Sequence, residues 1–126
     1  MIDIDKQIGY WKGSGEEDWE AARRLLEGGM VRHGLFFAHL ALEKLLKGLV
    51  CRQTREIPPR IHNLVRLAEL AGLRPDVNQM DLLTLMNAFQ MEGRYPEFAA
   101  PMPAVAEALK IIRDTEEVLQ WLRKQY

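Results

Sequence analysis

Apolar residues recur along this chain at steps of three and four and nowhere alternate with period two for long enough to build a strand. That periodicity limits the fold to helices. Leu35, Ala38, Leu42, Leu45 and Leu49 share one face, widened by Phe36, His39 and Leu46, which predicts a helix over about 32–53. Upstream, Ile4, Ile8, Trp11, Gly15, Trp19, Ala22 and Leu26 keep one phase through Gly13-Ser14-Gly15, which predicts a single first helix. Ser14 with Glu17 also fits a capping box, and each interior glycine costs about 1 kcal/mol, so a break at Ser14 stays open. A short helix is predicted after Pro58-Pro59, with Leu64, Leu67, Ala68 and Ala71 in phase and Gly72 at its end. A fourth covers about 77–92 through Leu82, Leu85, Met86 and Phe89 and is closed by Gly93. The last begins near Pro103 and carries Val105, Leu109, Ile112, Val118, Leu119 and Leu122.

The class is therefore all-α. Short connections favour antiparallel neighbours, so the expected architecture is an up-and-down helical bundle of four long helices plus one short helix, a single domain over residues 1–126. Seventeen Lys plus Arg against eighteen Asp plus Glu leave a net charge of -1, which argues against a protein that coats duplex nucleic acid electrostatically. A lone cysteine, Cys51, excludes an internal disulfide framework and a thiolate metal cluster within one chain. The near-apolar run over 40–50 is interrupted by Glu43, Lys44 and Lys47 and falls short of the roughly 18 residues a membrane span needs. No membrane association and a cytoplasmic location are expected. There is no Gly-rich phosphate loop, HExxH, GxSxG or Cys/His ligand array, so the common nucleotide-hydrolase, zinc-peptidase and acyl-transfer chemistries have no footing, and no metal or cofactor is expected.

A sparse polar set remains. His39, Glu43 and Lys47 follow at i, i+4 and i+8 and so stack along one side of the second helix. The spacing suits a His–Glu pair with a cation for a phosphate, and it suits equally a surface ladder worth a few tenths of a kcal/mol. His62 is expected at the start of the third helix. Arg55 precedes it by six intervening residues, a loose Arg-to-His spacing interrupted by Pro58-Pro59. In Arg94-Tyr95-Pro96-Glu97, Pro96 turns Tyr95 out of the helical region after Gly93, presenting a guanidinium and a phenol from a turn. Such groups suit a phosphate and a base or ribose, or a clamp on neighbouring carbonyls.

Taken together these segments resemble the HEPN family, the higher eukaryote and prokaryote nucleotide-binding domains. The likeness rests on Ala21-Ala22-Arg23-Arg24-Leu25-Leu26-Glu27-Gly28-Gly29, then Phe37-Ala38-His39-Leu40-Ala41-Leu42-Glu43-Lys44-Leu45-Leu46-Lys47-Gly48, then His62-Asn63-Leu64-Val65-Arg66-Leu67, then Arg94-Tyr95-Pro96-Glu97, and spans roughly 8–122. The resemblance implies a helical bundle, usually a homodimer, often encoded beside a minimal nucleotidyltransferase. Many relatives are metal-independent endoribonuclease toxins that use an Arg and a His. In those toxins the Arg-to-His motif lies near the start of a later helix, whereas here that spacing is met by Arg55 and His62, and no His follows Arg94.

Three functions are thus expected in competition. The first is a bundle that binds a nucleotide, or pairs with a minimal nucleotidyltransferase in a toxin–antitoxin-like system, through His39, Glu43, Lys47, His62, Arg94 and Tyr95. The second is an endoribonuclease acting on RNA, with Arg55 holding charge and His62 moving a proton. The third is a purely structural dimerisation module. Trp11, Trp19, Phe36 and Phe37 are hard to hide in one small core, which favours a twofold homodimer through the first two helices.

Overall fold

The computed structural model describes residues 2–90 and 102–126, among which there are five α-helices, one 3-10 turn and no strand. Helix α1 (Ile4–Glu27) is continuous through Gly13-Ser14-Gly15 and is capped by Asp3, whose carboxylate accepts from the Lys6 N–H. Helix α2 (Val31–Thr54) returns antiparallel to it, because the partners count down on one helix as they count up on the other: Leu26 lies by Gly34, Gly15 by Leu45, Trp11 by Lys47. Each has 24 residues, about 36 Å at 1.5 Å per residue. At Gly15 the two helices approach closely: a Cβ there would stand 3.1 Å from Leu45 Cγ and 3.2 Å from the Ala41 carbonyl oxygen. The phase that carries the helix through the two glycines is therefore the phase of the α1–α2 contact, and the capping-box alternative at Ser14 loses because Ser14 accepts from Lys44 Nζ across the interface, at 2.8 Å.

Helix α2 then occupies the middle of the molecule, packed by α1, by α3 (Leu64–Leu70), by α5 (Val105–Arg123) and by the 3-10 turn 87–89 that follows α4 (Val77–Met86). Its Leu35, Leu42, Leu45, Leu46 and Leu49 meet Leu64 and Leu67 of α3 and Leu119 and Leu122 of α5 in one core. Helix α3 starts later than the sequence suggests: Asn63 is its cap, so His62 stands in the connection just before it. Helix α4 opens on a capping box between Asp76 and Gln79 and tightens at Asn87, well short of residue 92. The Gly93 closure expected there lies outside the described residues. Helix α5 is tied back to α1 by a bidentate pair in which Arg123 donates to both Glu16 oxygens, at 2.8 and 2.7 Å. Among the described residues no helix is long and apolar enough to cross a membrane.

The aromatic residues that favour an interface on α1 and α2 differ in how far they are covered. Trp19 is core, 3% exposed, and Trp11, Phe36 and Phe37 are half-buried. A central α2 with neighbours on several sides covers what a two-helix picture leaves open. The exposed large apolar side chains include Val77 and Leu85 on α4 and Val105 and Leu109 on α5.

Two stability predictions follow from these contacts. Gly13 has nothing near the place of a Cβ, so Gly13→Ala stabilises by up to about 1 kcal/mol, whereas Gly15→Ala, two residues on, destabilises. Thermal melts giving shifts of the same sign would contradict the close approach at Gly15. Arg123 holds the Glu16 carboxyl below its ordinary pKa. A carboxyl lowered in the folded state contributes stability above its unfolded pKa, and that contribution fades as pH falls through the lower folded value. Glu16→Gln therefore lowers the melting temperature at pH 7, with a difference from the parent that shrinks below about pH 4.

Candidate functional site

The i, i+4, i+8 line of α2 is not a surface ladder. His39, Glu43 and Lys47 are 0%, 5% and 6% exposed, embedded in a helix that is otherwise core at that level. Burying a carboxylate and an ammonium costs several kcal/mol per ion unless each is paired and hydrogen-bonded. Here Lys47 Nζ donates to Glu43 Oε2 at 3.1 Å. The other carboxylate oxygen, Oε1, accepts from His62 Nδ1 at 3.0 Å and lies 3.7 Å from His39 Nε2. His39 Nε2 is 3.2 Å from the His62 carbonyl oxygen, an acceptor only, which puts the ring's proton on that nitrogen. One carboxylate thus gathers an ammonium and two imidazoles from two elements, and the backbone of the third helix's approach is hooked onto the same spot.

Position 62 is fixed from the other side as well. Asn63 caps α3, the Leu64 N–H donates to Asn87 Oδ1 at 2.8 Å, and the two asparagine side chains touch at 3.4 Å. The end of α4 therefore braces the start of α3. His62 is the member of the cluster that reaches water: its side chain is 46% exposed against 6% for Glu43. A carboxylate on Nδ1 fixes the ring orientation and, in the neutral imidazole, leaves Nε2 as the basic nitrogen. This is an arrangement able to hold an anion beside His62 or to move a proton there.

The far side of the ammonium is aromatic. Lys47 Nζ sits 5.5 Å from the centre of the Trp11 ring, a cation–π distance, and Tyr10 packs edge-on against Trp11 at 5.2 Å. No sequence spacing within one helix announces this contact, because it joins α1 to α2. A weaker signal was available: Trp11, Ser14 and Asp18 step by three and four, and Ser14 and Asp18 both meet Lys44, the latter at 2.7 Å.

Of the residues singled out in the sequence, the structure brings together His39, Glu43, Lys47 and His62. Arg55 is elsewhere. It ends α2 in the left-handed region at φ 56° and donates to Asp5 at 3.0 Å, twelve residues beyond Glu43, or about 18 Å along the axis. Arg94 and Tyr95 lie outside the described residues. Among the described residues no group of three or more His, Cys, Asp or Glu is placed to hold a metal ion. Burial raises the Cys51 thiol above its ordinary pKa, so this cysteine is a packed core side chain.

Removing only the carboxylate strands the buried ammonium. Glu43→Leu is expected to cost about 3–5 kcal/mol of unfolding free energy, and the double change Glu43→Leu with Lys47→Met to recover much of it, because two apolar side chains carry no desolvation penalty. Urea melts decide: a double variant no more stable than Glu43→Leu would show that the pair is not what the cluster depends on.

The HEPN domain model matches residues 8–125. Two solved structures share the fold over nearly their whole lengths. ST0689, described as an archaeal HEPN homologue, is 22% identical with a TM-score of 0.73, covering 99% of this chain and 98% of its own. TT1696 from Thermus thermophilus is also 22% identical with a TM-score of 0.73, covering 95% of this chain and 98% of its own. No curated protein matches the sequence. With the family model matched over nearly all of its length, and the helical fold the two solved structures share, the chain belongs to the HEPN family.

Proposed function

We propose that this HEPN bundle binds a nucleotide at the mouth of the His39–Glu43–Lys47–His62 cluster and works beside a minimal nucleotidyltransferase in a two-component, toxin–antitoxin-like system. The observation that carries the reading is Glu43, a carboxylate in the middle of the core helix whose Oε1 holds the one half-exposed histidine of the cluster. Apolar residues at these positions would satisfy the fold more cheaply, so a buried charge that orients a surface imidazole serves a ligand. As an imidazolium, with Nδ1–H on Glu43, His62 donates its Nε2–H to phosphate oxygens. Arg94 and Tyr95 enter on their sequence alone, as a second phosphate contact and a group for the sugar or base. A twofold homodimer belongs to the same reading, and its support moves to the exposed Leu85, Val105 and Leu109 of α4 and α5.

The Glu43–His62 pair also favours a second reading, metal-independent RNA cleavage with His62 as general base toward a ribose 2′-hydroxyl. Arg55, the cation first expected beside it, pairs with Asp5 in solvent within this chain, so the support for this reading is His62 alone.

Calorimetric titration with ATP and other nucleotides tests the first reading. Binding should weaken about tenfold or more in His62→Ala and in Arg94→Ala, as befits the loss of a charge-assisted contact, and stay unchanged in Arg55→Ala. No binding by the parent protein would dismiss it. Cleavage of labelled RNA in the presence of a chelator, abolished in His62→Ala, would install the second reading in its place.

A further inference from the structure

The polar cluster accounts for the anionic end of a ligand and leaves the aromatic pair on α1 unused. Tyr10 is 60% exposed, among the described residues the one Phe, Tyr or Trp ring standing largely in water, and it is held edge-on by Trp11 at an interplanar angle of 77°. Trp11 is in turn seated on Lys47, whose ammonium is bonded to the carboxylate that holds His62. Four contacts therefore connect Tyr10 to His62 along one flank of the molecule. Helical spacing puts Tyr10 on the correct side: Ser14 at i+4 bonds Lys44 of α2, so this edge of α1 is the edge turned toward the polar flank of α2 rather than toward α5, which α1 meets through Glu16. The indole Nε1 of Trp11 is buried without a hydrogen-bond partner among the described residues, so the ring is retained there for its face and its packing and not for its donor.

Resting on the nucleotide-binding reading, we infer that Tyr10 is the surface on which the ligand's base stacks, with Trp11 as the positioning residue that fixes its angle. An exposed ring joined through Trp11 and the buried Lys47–Glu43 pair to a half-exposed histidine matches a nucleotide, which has a flat π-face at one end and phosphate at the other. Stacking is tolerant of base identity, because every base offers a face. The platform therefore adds affinity for nucleotides over inorganic phosphates without selecting strongly among bases.

The experiment compares ATP with inorganic triphosphate by calorimetry, in the parent protein and in Tyr10→Ala, Tyr10→Phe and Trp11→Phe. Tyr10 is exposed, so its truncation leaves the fold intact, which a thermal melt verifies. Expected are about tenfold tighter binding of ATP than of triphosphate, loss of that preference in Tyr10→Ala with triphosphate affinity unchanged, and its retention in Tyr10→Phe. Trp11→Phe should give an intermediate preference. Equal affinities for the two ligands in the parent protein, or a preference that survives Tyr10→Ala, would overturn the platform while leaving the His62 site standing. Binding of neither ligand would overturn both. Sedimentation completes the test: a Tyr10→Ala change that turns a dimer into a monomer without altering ATP affinity would assign the ring to a second copy of the chain and overturn the inference.

Discussion

From Ala38 to Cys51 every residue of α2 is buried except Leu40 and Lys44, which are half-buried, so this stretch of helix has no open side. An ordinary amphipathic helix disposes of its polar residues by turning them to water. Here that exit is closed, and His39, Glu43 and Lys47 must be satisfied from within. The remaining architecture supplies the partners: α1 brings Trp11 under the ammonium, and the α3 approach brings His62 to the carboxylate. Glycine at position 15 lets α1 come close enough to seal one side. Tyr126 seals another, its hydroxyl donating to the Leu45 carbonyl over Gly48, where any Cβ would collide with that hydroxyl.

The same closure separates two kinds of charge in this protein. Pairs such as Arg23 with Glu20, or Lys110 with Asp114, lie in solvent and contribute little. Arg123 with Glu16 is intermediate, bidentate and partly covered, and it joins elements far apart in the chain. Among the described residues the Glu43 group is enclosed on one side and reaches water on the other through His62. That gradient from dry to wet within one hydrogen-bonded set is what distinguishes it from a purely structural staple as a candidate site.

The sequence carried the helices well because their information is local. The phase of Leu35, Leu42, Leu45 and Leu49 locates α2, and the phase of α1 runs through its glycines because the residues on either side share a partner helix. It carried the ends less well. Helix α4 stops at Met86 rather than near residue 92 because Asn87 turns back to serve Leu64 and Asn63, a tertiary demand that no propensity encodes. In the same way the spacing of His39, Glu43 and Lys47 was plain, but whether that line faces water depends on where the loop bearing His62 lies. Trp11 was visible as aromatic surplus, while its place beside Lys47 is a matter of register between two helices. The residues that make the site are thus legible one element at a time, and their assembly is not.

The antiparallel pairing of α1 and α2 also bears on the order in which the molecule comes together. The two helices are consecutive, joined by the tight turn at Gly28 and Gly29, and among the described residues theirs is the most extensive contact between two elements. Contacts between chain neighbours close with little loop entropy, so this hairpin is the natural early product of folding. In it Glu43 and Lys47 already face each other across one helical turn while still hydrated. They lose their water only when the segment bearing His62, contributed from later in the chain, docks on the finished hairpin. Completion of the cluster and desolvation of its charges are then one late event, and the slowest-exchanging amides are expected in α2 rather than at the histidine that crowns it.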